Sequence, residues 1–147
     1  MFLVPDGWFV KEEARDTANA IFITKESIGK DGGYKTGLSV HWLHAPKEGP
    51  ISEYEKIVIN VTKSNSLESW DIGDVNGYPP PFNKGYEGYF RFQTPEGSIK
   101  TKQVFLLGNE STRTLYIFEF ESPTSDWKSV KSIRNTLMTH LAVSDLY

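Results

Sequence analysis

The side chains best suited to acid–base or metal chemistry are few and far apart in the sequence. The chain has three histidines and no cysteine, which excludes a thiolate nucleophile, a disulfide and a Cys-ligated metal site. His41 and His44 are three residues apart, so on a strand they point to opposite faces and do not share a metal ion. His140 falls near the end of the last predicted helix, where a partly charged imidazole suits the helix dipole. We interpret all three as surface or helix-end histidines.

A short acidic stretch offers oxygen ligands of the kind that Ca²⁺ prefers. It contains Asp71, Asp74 and Asn76. An EF-hand loop needs ligands at alternating positions and a glutamate at position twelve. With Asp74 and Asn76 at the third and fifth positions, Ile72 and Asn83 would occupy the first and twelfth, and neither fits. We therefore predict an ordinary polar loop, with an irregular calcium site as the alternative.

Motifs for nucleophilic catalysis and phosphate binding are missing from the sequence. It contains no G-x-S-x-G nucleophile motif. Residues 29–33 are rich in glycine but lack the Walker spacing and a following helix. Two carboxylates on different strands, for example Glu87 and Glu119, could meet as an acid–base pair, although the sequence does not place them together. We predict a protein that is not an enzyme, with no catalytic residue, cofactor or metal.

Length and charge limit the remaining classes of function. The 147 residues suggest a single domain over residues 1–147. The formal charge is −3, whereas nucleic-acid-binding domains usually carry a basic surplus, so we predict no nucleic-acid partner. No apolar run approaches the ~18 residues of a membrane span, and the opening stretch lacks the regions of a signal peptide. We therefore expect a cytoplasmic protein, or an exported one if a signal has been removed.

The elements that would position these side chains are mostly β-strands. Alternating apolar, β-branched and aromatic residues predict strands within residues 4–13, 20–27, 36–44, 86–94, 99–108 and 113–122. In the last of these, Tyr116, Phe118 and Phe120 face one side, while Leu115 and Ile117 face the other. A strand that is apolar on both sides is central and covered on both sides.

A helix is predicted over residues 52–64. Its apolar residues recur at helical spacing and are expected on one buried face: Ile51, Tyr54, Ile57, Val58 and Val61. Ser52 and Glu55 match the capping box that begins many helices. The β-branched residues would favour a strand instead, but the period and the cap favour the helix.

A second helix follows Pro123. The residues at helical spacing are Trp127, Val130, Arg134, Leu137, Met138 and Leu141. Ser125 is the expected N-cap, and Asp126 suits the positive end of the helix dipole. The resulting order, β-β-β-α-β-β-β-α, predicts an α+β fold. We expect an α/β/α sandwich in which a six-stranded antiparallel sheet has one helix on each face.

Several short segments, in this order, carry a family resemblance. They are Pro5-Asp6-Gly7-Trp8, Ala20-Ile21-Phe22-Ile23, Thr36-Gly37-Leu38-Ser39-Val40, the hairpin over residues 100–120, and Trp127 at the head of the final helix. With these segments the chain resembles the PsbP-like and Mog1-like proteins. The resemblance implies a sheet sandwiched between helices and a non-catalytic binding function. Photosynthetic members of the family contact the photosystem through extra N-terminal residues. Because this chain starts almost at its first predicted strand, we do not expect that role.

The proline-rich connection at residues 77–85 is the strongest candidate for a contact surface. Three consecutive prolines stiffen it, so it can present Tyr78 and Phe82 to a partner at little entropic cost. We predict that Tyr78, Phe82 and Trp70 contact a protein partner if the loop residues are exposed. If both loop residues pack against the first helix, the segment is only a stiff connection. A small-molecule or lipid-binding protein is the alternative function, and a hydrolase is the least favoured.

Overall fold

The computed structural model describes residues 3–14, 16, 18–82 and 84–140. The strands are β1 (Phe9–Ala14), β2 (Ala18–Thr24), β3 (Gly37–His44), β4 (Glu68–Val75), β5 (Gly85–Gln93), β6 (Ile99–Asn109) and β7 (Thr114–Pro123). The helices are α1 (Ile51–Ser64) and α2 (Lys131–Thr139), with a 3-10 turn at Thr124–Asp126. All six predicted strands and both predicted helices are therefore confirmed.

The described strands form one sheet of seven rather than six. Their order is β1-β2-β3-β7-β6-β5-β4, and every neighbouring pair is antiparallel. The additional strand is β4, which includes part of the stretch we predicted to be a polar loop. That prediction was wrong because β4 is an edge strand, where polar side chains and a bulge between Trp70 and Gly73 are well tolerated.

Each face of the sheet carries its own apolar core. On one face, α2 covers Ile23, Leu38, Val40, Phe105, Leu107, Tyr116, Phe118 and Phe120 through Leu137. On the other face, Ile51 and Ile59 of α1 cover Phe90, Val104, Leu106, Leu115 and Ala45. The predicted division of β7, with Tyr116, Phe118 and Phe120 on one side and Leu115 on the other, is confirmed.

The buried face of α1 differs from the predicted one. The fully or nearly fully buried residues are Ile51, Glu55 and Ile59, which recur every four positions. Ile57 and Val61 were expected in the core, but they are 55% and 53% exposed. The predicted capping box is also wrong, because the N-cap residue of α1 is Pro50 and makes no side-chain capping bond. Instead, the backbone N–H of Ile51 donates to Glu110 Oε1 at 3.1 Å, from the turn between β6 and β7.

The second helix begins later than predicted. Ser125 lies in the 3-10 turn rather than at an N-cap, and α2 starts at Lys131, after Val130. Arg134 is buried, while Leu141 lies outside the described residues. Neither α1, with 14 residues, nor α2, with 9, is long and apolar enough to cross a lipid bilayer.

Candidate functional site: an aromatic surface at the sheet edge

The edge strand β4 carries a stacked aromatic pair. Trp70 of β4 lies directly opposite Tyr89 of β5, and their ring centroids are 5.9 Å apart at an interplanar angle of 16°. The guanidinium of Arg91 lies 5.6 Å from the Trp70 centroid and donates to Glu68 at 2.6 Å. Cross-strand aromatic pairs stabilise sheets. In the pair of Trp70 and Tyr89, the Trp70 side chain stays half-buried at the edge of the sheet.

The aromatic contacts continue towards α2. The ring of Tyr89 meets that of Trp127 edge-on, with centroids 6.5 Å apart. Arg134 covers the Trp127 ring at 4.0 Å, and burial lowers the pKa of its guanidinium. A guanidinium over an indole face is favourable because the ring quadrupole attracts the cation. The rings of Trp70, Tyr89 and Trp127 thus form a continuous row with an arginine at each end.

Tyr78 lies on the same side of the sheet, next to Glu87. Its side chain is 39% exposed, and its ring centroid lies 5.7 Å from that of Phe105. Burial, followed by the charge of Glu87, raises the pKa of Tyr78, and the same two causes lead for Tyr89. Glu87 also accepts a hydrogen bond from Gln103. We call Trp70, Tyr78, Glu87, Tyr89 and Arg91 the aromatic surface.

Phe82 has a different environment from Tyr78. Its side chain is half-buried and packs against the core on the α2 side, and its backbone bridges to Asn109. Neither of the two predicted environments for the loop is therefore found, since Tyr78 is exposed, Phe82 is not, and both lie on the face opposite α1. The contact role of Tyr78, Phe82 and Trp70 stays a prediction.

The acidic side chains of β4 lie at the sheet edge. Asp74 accepts a hydrogen bond from Lys84 at 2.8 Å, and this bond, with a second from Tyr86, lowers the pKa of its carboxyl. Asp71 has a positive φ of 49° within the bulge, and Asn76 is exposed just after the strand. Within the described ranges, no group of three or more acidic or histidine side chains is placed to hold a metal ion.

The histidines occupy separate environments. His41 meets the ring of Phe22 edge-on at 5.6 Å, and burial lowers the pKa of its imidazole. His44 is exposed, three positions further along β3 and therefore on the opposite face. His140 is the C-cap residue of α2, as predicted for the helix end, with Nδ1 2.8 Å from the carbonyl oxygen of Thr136.

The two carboxylates that could have paired lie on opposite faces of the sheet. Glu87 shares its row with Phe105 and Phe118, on the α2 side. Glu119 is opposite Val104, on the α1 side. These positions therefore do not form an acid–base pair.

The aromatic surface was only partly predictable. Trp70 and Tyr78 were singled out as contact residues. Glu87 was considered only as half of an acid–base pair, and Tyr89 and Arg91 were assigned only to a strand. Their contribution depends on the β4–β5 register, which places Tyr89 opposite Trp70 and Arg91 opposite Glu68. A usable signal was the alternation of Glu87, Tyr89 and Arg91, which places all three on one face of a strand.

Three solved structures share this architecture. Protein PA94 of Pseudomonas aeruginosa, of unknown function, aligns with a TM-score of 0.60 at 12% identity over 96% of this chain and 89% of its own. LpqN of Mycobacterium tuberculosis, involved in cell envelope biogenesis, aligns at 0.56 and 8% identity over 93% and 78%. The cyanobacterial PsbP (CyanoP) of Synechocystis sp. PCC 6803 aligns at 0.52 and 17% identity over 97% and 85%.

The chain has a PsbP-like fold. This confirms the resemblance seen in the sequence, at the level of architecture. No family model and no curated protein matches the sequence. At identities of 8% to 17%, the PsbP-like neighbours establish the fold and leave the function to be argued from the site.

Proposed function

We propose that this PsbP-like protein is a non-catalytic module that binds a protein partner through the aromatic surface. The observation that carries the proposal is the stacked pair of Trp70 and Tyr89 at the open edge of the sheet, capped by Arg91. Tryptophan, tyrosine and arginine are the residues most enriched among binding hot spots. Here they are held in place before any partner arrives, which reduces the entropic cost of association.

The electrostatic character of the aromatic surface is mixed. Glu87 provides a carboxylate between Tyr78 and Tyr89, whereas Arg91 is engaged by Glu68 through a salt bridge of 2.6 Å. An interface that combines apolar rings with oriented charges gains specificity from the charges and affinity from the rings. The separation of Glu87 and Glu119 onto opposite faces supports a role without acid–base chemistry.

The proposal is tested with the purified chain as bait in a native extract of its source organism. The captured protein is identified, purified and titrated by calorimetry against three forms of the chain: wild type, Trp70→Ala and Tyr78→Ala. Loss of a central hot-spot aromatic is expected to weaken binding by about tenfold or more.

The matched control for this titration is Ile57→Ala. Ile57 is an exposed apolar residue on α1, on the other side of the sheet, so this variant is expected to bind as wild type does. If Trp70→Ala and Tyr78→Ala bind the captured protein with unchanged affinity while remaining folded by circular dichroism, the aromatic surface is not the interface.

A further inference from the structure

Arg134, in the first turn of α2, is a buried cation without an acidic partner. Its side chain is 7% exposed, and arginine is almost never buried this deeply unless it is paired. Among the acidic side chains that the structure describes, none forms an ion pair with it or raises the pKa of its guanidinium, which burial lowers. Arg91, by contrast, pairs with Glu68 at 2.6 Å. The charge of Arg134 therefore lacks the compensation that buried charges usually have.

The guanidinium of Arg134 also has unused hydrogen-bond donors. A guanidinium carries five N–H donors. In the described part of the chain, Nη1 donates to the carbonyl oxygen of Trp127 at 3.4 Å, which is long for a hydrogen bond, and the buried Nε has no acceptor. A buried donor without an acceptor destabilises a protein. An acceptor supplied by a bound molecule would remove this cost.

Two half-buried aromatic rings lie beside the guanidinium of Arg134. The ring of Trp127 lies 4.0 Å from it, and Trp127 meets Tyr89 edge-on with centroids 6.5 Å apart. The indole attracts the cation, but it has no acceptor to offer, because its nitrogen is only a donor. Both rings are partly exposed. A molecule that supplies an acceptor to Arg134 can therefore also place an apolar group against these rings.

The charges around Arg134 favour an anion. The charged residues of α2 are Lys131 and Arg134, and this helix contains no acidic residue. The N-terminal end of a helix is positive, so a cation in its first turn is disfavoured and an anion is stabilised. Asp126, in the preceding 3-10 turn, is exposed and accepts from the Ser125 hydroxyl at 3.3 Å. Because the whole chain has a formal charge of −3, any attraction of anions would be local to this site.

We propose that Arg134 binds a carboxylate of the protein partner, with Trp127 and Tyr89 contacting the apolar group that carries it. A carboxylate fits because its two oxygens accept two parallel bonds from one guanidinium. Its single charge also balances that of one arginine, whereas a phosphate group carries nearly two. The inference rests on the proposed function and names the chemistry of the partner: an acidic side chain or a C-terminal carboxylate beside an apolar residue. Tyr89 belongs to the aromatic surface, so the two sites are continuous.

The test uses three probes that share a phenylalanine and differ in their carboxylate. N-acetyl-phenylalanine carries it at the C-terminus, N-acetyl-aspartyl-phenylalanine amide carries it on a side chain, and N-acetyl-phenylalanine amide has none. Each is titrated into the full chain, labelled with ¹⁵N, and NMR follows the Nε–Hε signal of Arg134 and the indole N–H signal of Trp127. At least one carboxylate probe is expected to shift both signals saturably and to bind about tenfold more tightly than the neutral amide. The tighter carboxylate probe shows whether a side chain or a C-terminus is preferred.

Two variants of Arg134 and one control complete the test. Arg134→Met should fold, because an apolar side chain replaces an unpaired buried charge, and it is expected to lose the roughly tenfold preference for the carboxylate. Arg134→Lys keeps the charge without the planar fork and is expected to retain only part of the preference. The matched control, Lys63→Met, removes one exposed positive charge from α1, on the other side of the sheet. It is expected to bind all three probes as the wild type does.

Equal binding of the three probes to the wild type, or an unchanged carboxylate preference in Arg134→Met, would overturn the proposal. The absence of a saturable shift at Arg134 would also overturn it, and that result does not depend on a variant that folds. Each of these outcomes leaves the proposed partner surface intact. That surface is rejected instead if Trp70→Ala and Tyr78→Ala keep their affinity for the captured protein, so the two ideas fail separately.

Discussion

On the α1 side of the sheet, the half that α1 covers is apolar and the half beyond α1 is charged, although the same strands run through both. Under α1, the side chains of β6 and β7 that face the helix are Val104, Leu106 and Leu115. Beyond α1, the same rows continue as Lys100 and Lys102 on β6, and as Glu119 and Glu121 on β7. The switch from apolar to charged residues within one strand therefore marks where the helix cover ends.

The charged side chains in the two halves also have different environments. In the open half, lysines and glutamates pair across strands, with Lys100–Glu121 at 2.6 Å and Lys102–Glu119 at 3.6 Å. In the covered half, the carboxylate-bearing Glu55 of α1 is fully buried. Neither of its oxygens meets strict hydrogen-bond geometry with a donor in the described part of the chain. A charge is thus stabilised by pairing where the face is open, and disfavoured where the helix excludes water.

The largest effect that tests this comparison is expected from one pair of substitutions on α1. Ile59 is 4% exposed and packs in the covered half, whereas Ile57 is 55% exposed. Ile59→Ala should lower the free energy of unfolding by about 2–5 kcal/mol, and Ile57→Ala by less than about 0.5 kcal/mol. Urea denaturation of both variants measures the difference. Equal losses of unfolding free energy would mean that Ile57 is as buried as Ile59, as the apolar period of α1 predicted.

The next largest effect is a pH dependence that arises from Glu55. Burial is the main cause that raises the pKa of this carboxyl from 4.5 to about 7. The charges of Glu110 and Asp74 raise it further, and the Gly108 amide opposes them. A raised folded-state pKa means that the folded protein holds the proton more tightly than the unfolded chain. The stabilisation is therefore complete below about pH 4.5 and is lost as the pH rises through about 7.

The size of this loss is about 3 kcal/mol for the shift from 4.5 to about 7. Glu55→Gln should remove it, so the difference in stability between the variant and the wild type should grow from pH 5 to pH 8. Burial lowers the pKa of His41, which changes stability with pH in the opposite direction. Both proteins contain His41, so comparing them at each pH cancels its contribution. A constant difference across this range would mean that Glu55 titrates normally in the folded state.

The smallest effect separates the two ion pairs of the open half. Glu121→Gln leaves the ammonium of Lys100 without its charged partner in a site where both side chains are at most 16% exposed. It should cost about 2 kcal/mol. Glu119→Gln affects the longer and more exposed pair with Lys102, and should cost less than about 1 kcal/mol. Urea denaturation of the two variants ranks the pairs, and the reverse order would mean that the shorter distance and deeper burial of Lys100–Glu121 do not make it the stronger pair.

The sequence predicted well those features that depend on local alternation. The two-sided apolar pattern of β7 identified a central strand because side chains alternate strictly along a strand. The helical period located α1 to within one residue. The same period was a poor guide to which side of α1 is buried. Ile57 and Val61 satisfy it, yet the helix lies on the sheet along Ile51, Glu55 and Ile59.

What the sequence determined by itself is six of the seven strands, both helices and the antiparallel character of the sheet, since these follow from local periodicity and short turns. Tertiary structure decided the rest. It added the strand β4 at the edge, because an edge strand tolerates polar side chains that a central strand would not. It also brought Trp70 opposite Tyr89 and buried Glu55. Those outcomes depend on register and helix placement, which are set by contacts between residues far apart in the chain.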